Sequence, residues 1–153
     1  MVENPAVELI AELGDAPTEV GRARRALSHL LERWGVGGDA ADVAVLLTSE
    51  LVTNAIRHGH GLVTLRAGMA KRGAVRIEVD DDRPGQVVPM EWDLWAVDGR
   101  GLQLVDMLAD RWGCRSNLEG KRVWFEVRLE GSHDQSDERA DVQSVERADV
   151  TSR

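Results

Sequence analysis

A single cysteine, Cys114, stands in 153 residues, which rules out an intrachain disulfide and a cysteine-built metal cage. Acidic residues outnumber basic ones 27 to 19, for a net charge of −8. With no basic stripe, that balance argues against a protein that grips nucleic acid by its phosphates. Aromatics are scarce: there is no tyrosine, one phenylalanine, and five tryptophans too scattered to form a stacking platform. Trp34, Trp112 and Trp124 are assigned to packing, while Trp92 and Trp95 lie in a loop. No apolar run approaches the ~20 residues of a membrane span, and the N-terminus lacks a basic-then-apolar signal. The expected setting is cytoplasmic, with neither membrane nor nucleic acid as partner. Two common nucleotide motifs are missing too: a Gly-x-x-x-x-Gly-Lys-Ser/Thr loop and a Gly-x-Gly-x-x-Gly after a first strand.

What is present describes one domain of ordinary size, able to bury about two-thirds of its unfolded surface. Residues 5–130 carry the apolar periodicity. Residues 131–153 hold only three large aliphatics, Val142, Val145 and Val150, and a near-repeat of Glu-Arg-Ala-Asp-Val. Six acids against three arginines leave that segment at −3. It cannot bury enough to offset its ordering entropy and reads as a disordered acidic tail.

Within the domain, residues 6 to 13 are weakly strand-like. Thr18 can cap a helix bearing Val20, Ala23, Leu27, Leu30, Leu31 and Trp34, which Gly35, Gly37 and Gly38 end. Asp39 can cap the next helix, with Asp42 in its first turn. The period then switches to two. Val63, Leu65 and Ala67 alternate, as do Val75, Ile77 and Val79 after a Lys71-Arg72-Gly73 turn, predicting a hairpin with one buried face. An irregular loop from Asp81 to Gly99 leads to a third helix with Leu102, Val105, Leu108 and Trp112 on one side. Strands around 113–118 and 122–129 close the domain. Together these predict an α+β two-layer sandwich: a mixed, mostly antiparallel sheet with three helices on one face.

Three elements could carry chemistry. In Thr48-Ser-Glu-Leu-Val-Thr-Asn-Ala-Ile-Arg-His-Gly59, steps of four stack Glu50, Asn54 and His58 on one helix face, beside an apolar row of Val43, Leu47, Leu51 and Ala55. A carboxylate and a carboxamide next to a core-facing stripe each need a hydrogen-bond partner, a ligand or a metal. The second element is Val79-Asp-Asp-Asp-Arg-Pro-Gly85. It reads either as a solvated turn or as a strand end from which one aspartate faces a pocket. Asp81, two residues after Val79, shares the buried face and is the candidate. The third is Asp98-Gly-Arg-Gly-Leu102, opening a helix. Glycines there permit close backbone approach, and free N–H groups with the helix dipole suit an anion, although most Gly-x-Gly pairs are simply turns.

In this order the three elements resemble the GHKL (Bergerat-fold) ATPases, and within them the anti-sigma factor serine/threonine kinases. Ser49 to Gly59 looks like that branch's N-box, Asp81 with Pro84-Gly85 like its first glycine box, and Gly99-Arg-Gly-Leu-Gln-Leu-Val105 like its second. The resemblance spans nearly all of residues 5–130. It implies a histidine-kinase-like ATP-binding domain in which Asn54 offers its amide oxygen to Mg²⁺ and Glu50 is the general base. Asp81 would take the adenine amine. Gly85, Gly99, Arg100, Gly101 and Leu102 would line the nucleotide, with the backbone of Gly99–Gly101 around its phosphates. Phosphoryl transfer suits such a site, because positioning and charge neutralisation dominate it.

There are departures from the pattern. Arg83 stands where a glycine or small residue is usual, and the loop from Asp81 to Gly99 is short for a lid. His58 is assigned a structural place at the helix end. The chain lacks a phosphoacceptor-histidine hairpin. The implied function is an ATP- and Mg²⁺-dependent anti-sigma factor that phosphorylates a serine or threonine of a STAS-type antagonist protein, or binds a sigma factor. Alternatives are an ATP-dependent switch without turnover and an orphan histidine-kinase-type ATPase domain. The compact chain, without an attached sensor or dimerisation domain, favours the anti-sigma kinase over the orphan histidine-kinase-type domain. By resemblance, a homodimer could form through the first helix and the sheet edge.

Overall fold

The computed structural model describes residues 6–58, 61–82, 100–117 and 120–129. Eight elements follow one another: β1 (Val7–Leu13), α1 (Glu19–Arg33), α2 (Gly38–His58), β2 (Val63–Ala70), β3 (Ala74–Asp81), α3 (Arg100–Leu108), β4 (Arg111–Asn117) and β5 (Gly120–Arg128). The strands form one sheet in the order β1-β2-β3-β5-β4, and every pairing in it is antiparallel. The predicted α+β architecture is therefore the observed one.

Period-two alternation sorts the side chains into two faces. Val63, Leu65 and Ala67 of β2, Val75, Ile77 and Val79 of β3, and Val123, Phe125 and Val127 of β5 form adjacent buried rows. Onto them pack Ala23, Leu27, Leu30 and Leu31 of α1, Ala44, Leu47, Leu51 and Val52 of α2, and Leu102 and Val105 of α3, in one continuous core. Burial of each large aliphatic or aromatic side chain contributes about 1.5–3 kcal/mol, so these rows fix the register. In β1 a bulge between Leu9 and Ala11 resets the alternation, leaving Leu9 exposed and Ala11 and Leu13 buried.

Helix ends correct some details of the sequence reading. Thr18 sits at the start of α1 with helical φ and ψ, and its hydroxyl makes no capping bond. α2 begins at Gly38, so Asp39 is not a cap but a first-turn acid that complements the dipole. The end of α1 follows expectation. Gly35 takes a φ of +72°, its N–H bonds to the Glu32 carbonyl at 3.0 Å, and the Val36 N–H bonds to that of Leu31 at 2.8 Å. This paired closure needs a residue that tolerates the left-handed region. Trp112 is not on the third helix, which stops at Leu108. It belongs to β4, from which its indole N–H reaches back to Asp106 of α3 at 3.0 Å.

The face without helices departs most from a simple one-sided sheet. Glu78 and Glu126 are buried there, at 4% and 7% exposure. Arg76 lies between them, with Nε 2.9 Å from Glu78 and Nη1 3.1 Å from Glu126. Its guanidinium stacks 4.0 Å from the centre of the Trp124 ring, which in turn covers Gly113. Buried ions persist only when paired in this way. Among the described residues, no helix is long and apolar enough to cross a membrane.

Candidate functional site

Glu50 and Asn54 lie one turn apart on α2, both half-buried. Their neighbours Ser49 and Thr53 spend their hydroxyls on helix carbonyls, Ser49 on Val45 at 2.8 Å and Thr53 on Ser49 at 2.6 Å. Neither Glu50 nor Asn54 has a hydrogen-bond or ion-pair partner among the described residues. Two hard oxygen donors thus stand on one helix face without an internal use. His58 closes the same helix. Thr48, two residues before Glu50, is fully buried, and its hydroxyl also lacks a partner.

Topology decides what stands near these donors. α2 packs on β3, the strand that ends in Asp81. Beyond the helix, a side chain at Gly61 would overlap the Asp82 carboxylate, and Val63 then pairs with Asp81. The C-terminal end of α2 and the end of β3 therefore share one end of the sheet. α3 reaches that end as well. It packs against α2 and β4 and hands over to β4 at Arg111, opposite Glu126, whereas the far end of β4 pairs Asn117 with Gly120, which adjoins Asp81. The N-terminus of α3, with the free N–H groups of its first turn, points back to the Asp81 end.

Asp81 continues the row of Val75, Ile77 and Val79, on the helix-facing side, between Val63 and Lys121. Its charge is felt by Cys114, a buried residue of the same face. Burial chiefly raises the thiol pKa, Lys121 opposes that, and Asp81 adds to it. Asp80 faces the other way, held by Arg66 and Arg122. A cavity of about 370 Å³ opens at this rim, lined by Asp81 and Lys121 and, from the helix-free face, by Thr64, Asp80, Arg115 and Arg122. It includes neither Glu50 nor Asn54 and opens largely on the face opposite α2, so it is distinct from the donors on that helix.

The structure thus brings Glu50, Asn54, Asp81 and the backbone of Arg100–Leu102 to one end of the fold. Leu102 is 3% exposed and belongs to the core, so it can offer a ligand only its backbone. Gly85, Gly99 and Arg83 lie outside the described residues, as do the loop tryptophans and residues 131–153. Sequence reasoning missed the ionic network across the helix-free face. Its signal was present as charges alternating with apolar residues in Val75-Arg-Ile-Glu-Val-Asp80 and Arg122-Val-Trp-Phe-Glu126.

Comparison with known proteins decides the family. The model of the histidine kinase-like ATPase domain matches residues 13–127, most of the chain. The chain belongs to that family. A curated relative, blue-light-activated histidine kinase 2 of Erythrobacter litoralis (strain HTCC2594), is 31% identical over an alignment of 116 residues that covers 65% of this chain and 33% of the relative. The chain thus spans about a third of that relative's length. Among solved structures, the RsbU and RsbW domains of Rv1364c from Mycobacterium tuberculosis superpose with a TM-score of 0.62 at 22% identity, covering 83% of this chain and 33% of that one. This likeness shows the fold. The histidine kinase domain of the Erythrobacter litoralis EL346 blue-light-activated kinase gives a TM-score of 0.50 at 25% identity, covering 74% and 60%. An ATPase domain of histidine-kinase type in the GHKL fold is what these matches share.

Proposed function

We propose that this ATPase domain binds Mg-ATP at the end of the sheet where α2, β3 and α3 meet, and transfers the γ-phosphoryl group to a partner protein. The partner is an anti-sigma antagonist, phosphorylated on serine or threonine, and the protein restrains a sigma factor when that antagonist is absent. The observation that carries this reading is the convergence on one rim of two unpartnered oxygen donors, a strand-end aspartate and a helix start.

The donor set fits a magnesium ion, which favours one or two protein oxygens and completes its octahedron with phosphates and water. Asn54 would hold it, and when bound it would neutralise charge on the phosphates. Among the described residues no group of three acidic, histidine or cysteine side chains could hold a metal unaided, so the nucleotide would supply the remaining oxygens. Asp81 would accept the adenine amine, and the N–H groups opening α3 would face the phosphates. Glu50 would take the proton of the acceptor hydroxyl as its oxygen attacks the γ-phosphorus, and ADP leaves with the bridging electron pair. Likeness to the RsbW domain supports the anti-sigma reading.

Incubation with Mg²⁺, labelled ATP and candidate antagonists tests it. Acid-stable label on the partner, abolished by Glu50→Ala while nucleotide binding persists, supports the serine/threonine kinase. Nucleotide binding without transfer overturns the kinase and leaves an ATP-dependent switch. The 31% identity to a histidine kinase favours one further reading, transfer to a histidine of a separate protein, for which the label would be acid-labile.

A further inference from the structure

The end of β3 sets three carboxylates in a row, Asp80, Asp81 and Asp82, which in isolation repel one another. The sheet separates them. Strand alternation turns Asp80 to the helix-free face, where it lies between Arg66 of β2 and Arg122 of β5. Arg122 grips it bidentately, Nε to Oδ1 at 2.6 Å and Nη2 to Oδ2 at 2.9 Å, while Arg66 donates to Oδ2. The Arg122 guanidinium is itself anchored, 3.5 Å from the buried Glu78. One carboxylate therefore ties three adjacent strands together, one residue before the last position of β3.

Strand ends are where a sheet frays, because each terminal residue has only one flank of paired neighbours. Asp81 is such a residue. Its ladder partners are Val63, the first residue of β2, and Lys121, the second of β5. Bidentate arginine–carboxylate pairs fix direction as well as distance, so a clamp on Asp80 also fixes the backbone plane from which Asp81 projects. We propose that Arg66, Asp80 and Arg122 form a positioning clamp that aims Asp81 at the 6-amino group of a bound purine and so sets the selectivity for ATP over 6-oxo nucleotides. This rests on the nucleotide reading above. Asp80 and Arg122 line the rim cavity from the helix-free side, and all three clamp side chains lie on the opposite side of the sheet from α2 and α3, where the nucleotide is placed.

The test is equilibrium binding of ATP and of ITP, which carries a 6-oxo group, to the full chain and to Arg122→Gln, Asp80→Asn, Arg66→Gln, Arg122→Lys and Asp81→Ala. A single hydrogen bond to a charged acceptor gives the full chain about a tenfold or greater preference for ATP. Arg122→Gln and Asp80→Asn are expected to cut that preference about three- to tenfold, with ITP affinity nearly unchanged, and Arg122→Lys to restore part of it. A merely structural role would weaken both nucleotides alike at constant preference, and that result overturns the clamp. The clamp also fails, with the nucleotide reading intact, if Asp81→Ala loses the preference while all clamp variants keep it. No nucleotide binding by the full chain sinks the nucleotide reading and the clamp together, whereas a preference indifferent to Asp81→Ala sinks the adenine assignment and the clamp and leaves nucleotide binding standing.

Discussion

Replacing Arg76 by methionine removes the one cation among the described residues that touches both buried glutamates of the helix-free face. The Arg76 side chain is 11% exposed, and those of Glu78 and Glu126 are 6% and 9% exposed. Methionine keeps much of the aliphatic packing and deletes two charge-assisted bonds and the stacking on Trp124. Breaking a buried pair from one side typically costs about 3–5 kcal/mol, because an uncompensated charge stays behind. Here each glutamate keeps a weaker cation: Arg122 at 3.5 Å from Glu78 and Arg111 at 3.7 Å from Glu126, with side chains 40% and 53% exposed. That places the expected loss near the lower bound, about 3 kcal/mol. With a urea dependence of about 1.5 kcal/mol per molar, the unfolding midpoint should fall by about 2 M. Adding Glu78→Gln and Glu126→Gln to the methionine variant should recover most of the loss, since amides are cheaper to bury than carboxylates. A midpoint shift below about 0.5 M for Arg76→Met, or no recovery in the triple variant, would refute the view that this network is buried and mutually dependent.

Other perturbations probe separate parts of the fold. Thr48→Val removes a fully buried hydroxyl that has no partner among the described residues, and should raise stability by about 1 kcal/mol in thermal or urea melts. Loss of stability would show that the hydroxyl has a partner after all. Gly113→Ala would set a methyl 2.5 Å from the Trp124 indole nitrogen, so the ring must move off Arg76; about 1–3 kcal/mol should be lost, with a change in tryptophan fluorescence. Cys114, its thiol pKa raised mainly by burial, should be slow to alkylate in the native protein at pH 8. Because the unfolded thiol gives up its proton first, its contribution is fully present below about pH 8.5 and falls by up to about 1.4 kcal/mol per pH unit above that, until the folded thiol also ionises. Cys114→Ala should lack that component of the alkaline slope, and an unchanged slope would refute it.

Much of the fold was legible because its signals are local. The alternation of Val63-Leu65-Ala67 and Val75-Ile77-Val79 fixes both strands and their common face, and Gly35 ends α1 by backbone geometry alone. Trp112 shows the limit. Its spacing from Leu108 continues a helical stripe, yet Asp110 directs the chain into β4, its N–H bonding the Glu126 carbonyl at 2.9 Å and its carboxylate accepting the Arg128 N–H at 2.6 Å. Those partners are distant in sequence, so no local pattern could announce them. Similarly, charges alternating with apolar residues normally mean a solvated face. Burial of Glu78 and Glu126 depends on Arg76 and Trp124 meeting across the β3–β5 pair, which only pairing register determines.

The same alternation gives the aspartate run its meaning. Three identical side chains acquire three environments from a period of two and the end of a strand. Asp80 is neutralised by arginines on the helix-free face, Asp81 faces the helices beside Lys121, and Asp82 lies against Gly61 at the close of the α2–β2 connection. A solvated acidic turn would leave all three interchangeable, and exchanging any one for asparagine would change little. In this fold they are not equivalent. Asp80→Asn removes the charge that two arginines share, whereas Asp82→Asn removes a charge whose neighbour is a glycine. The first should destabilise the sheet measurably and the second hardly at all, although the two residues are adjacent to the same Asp81.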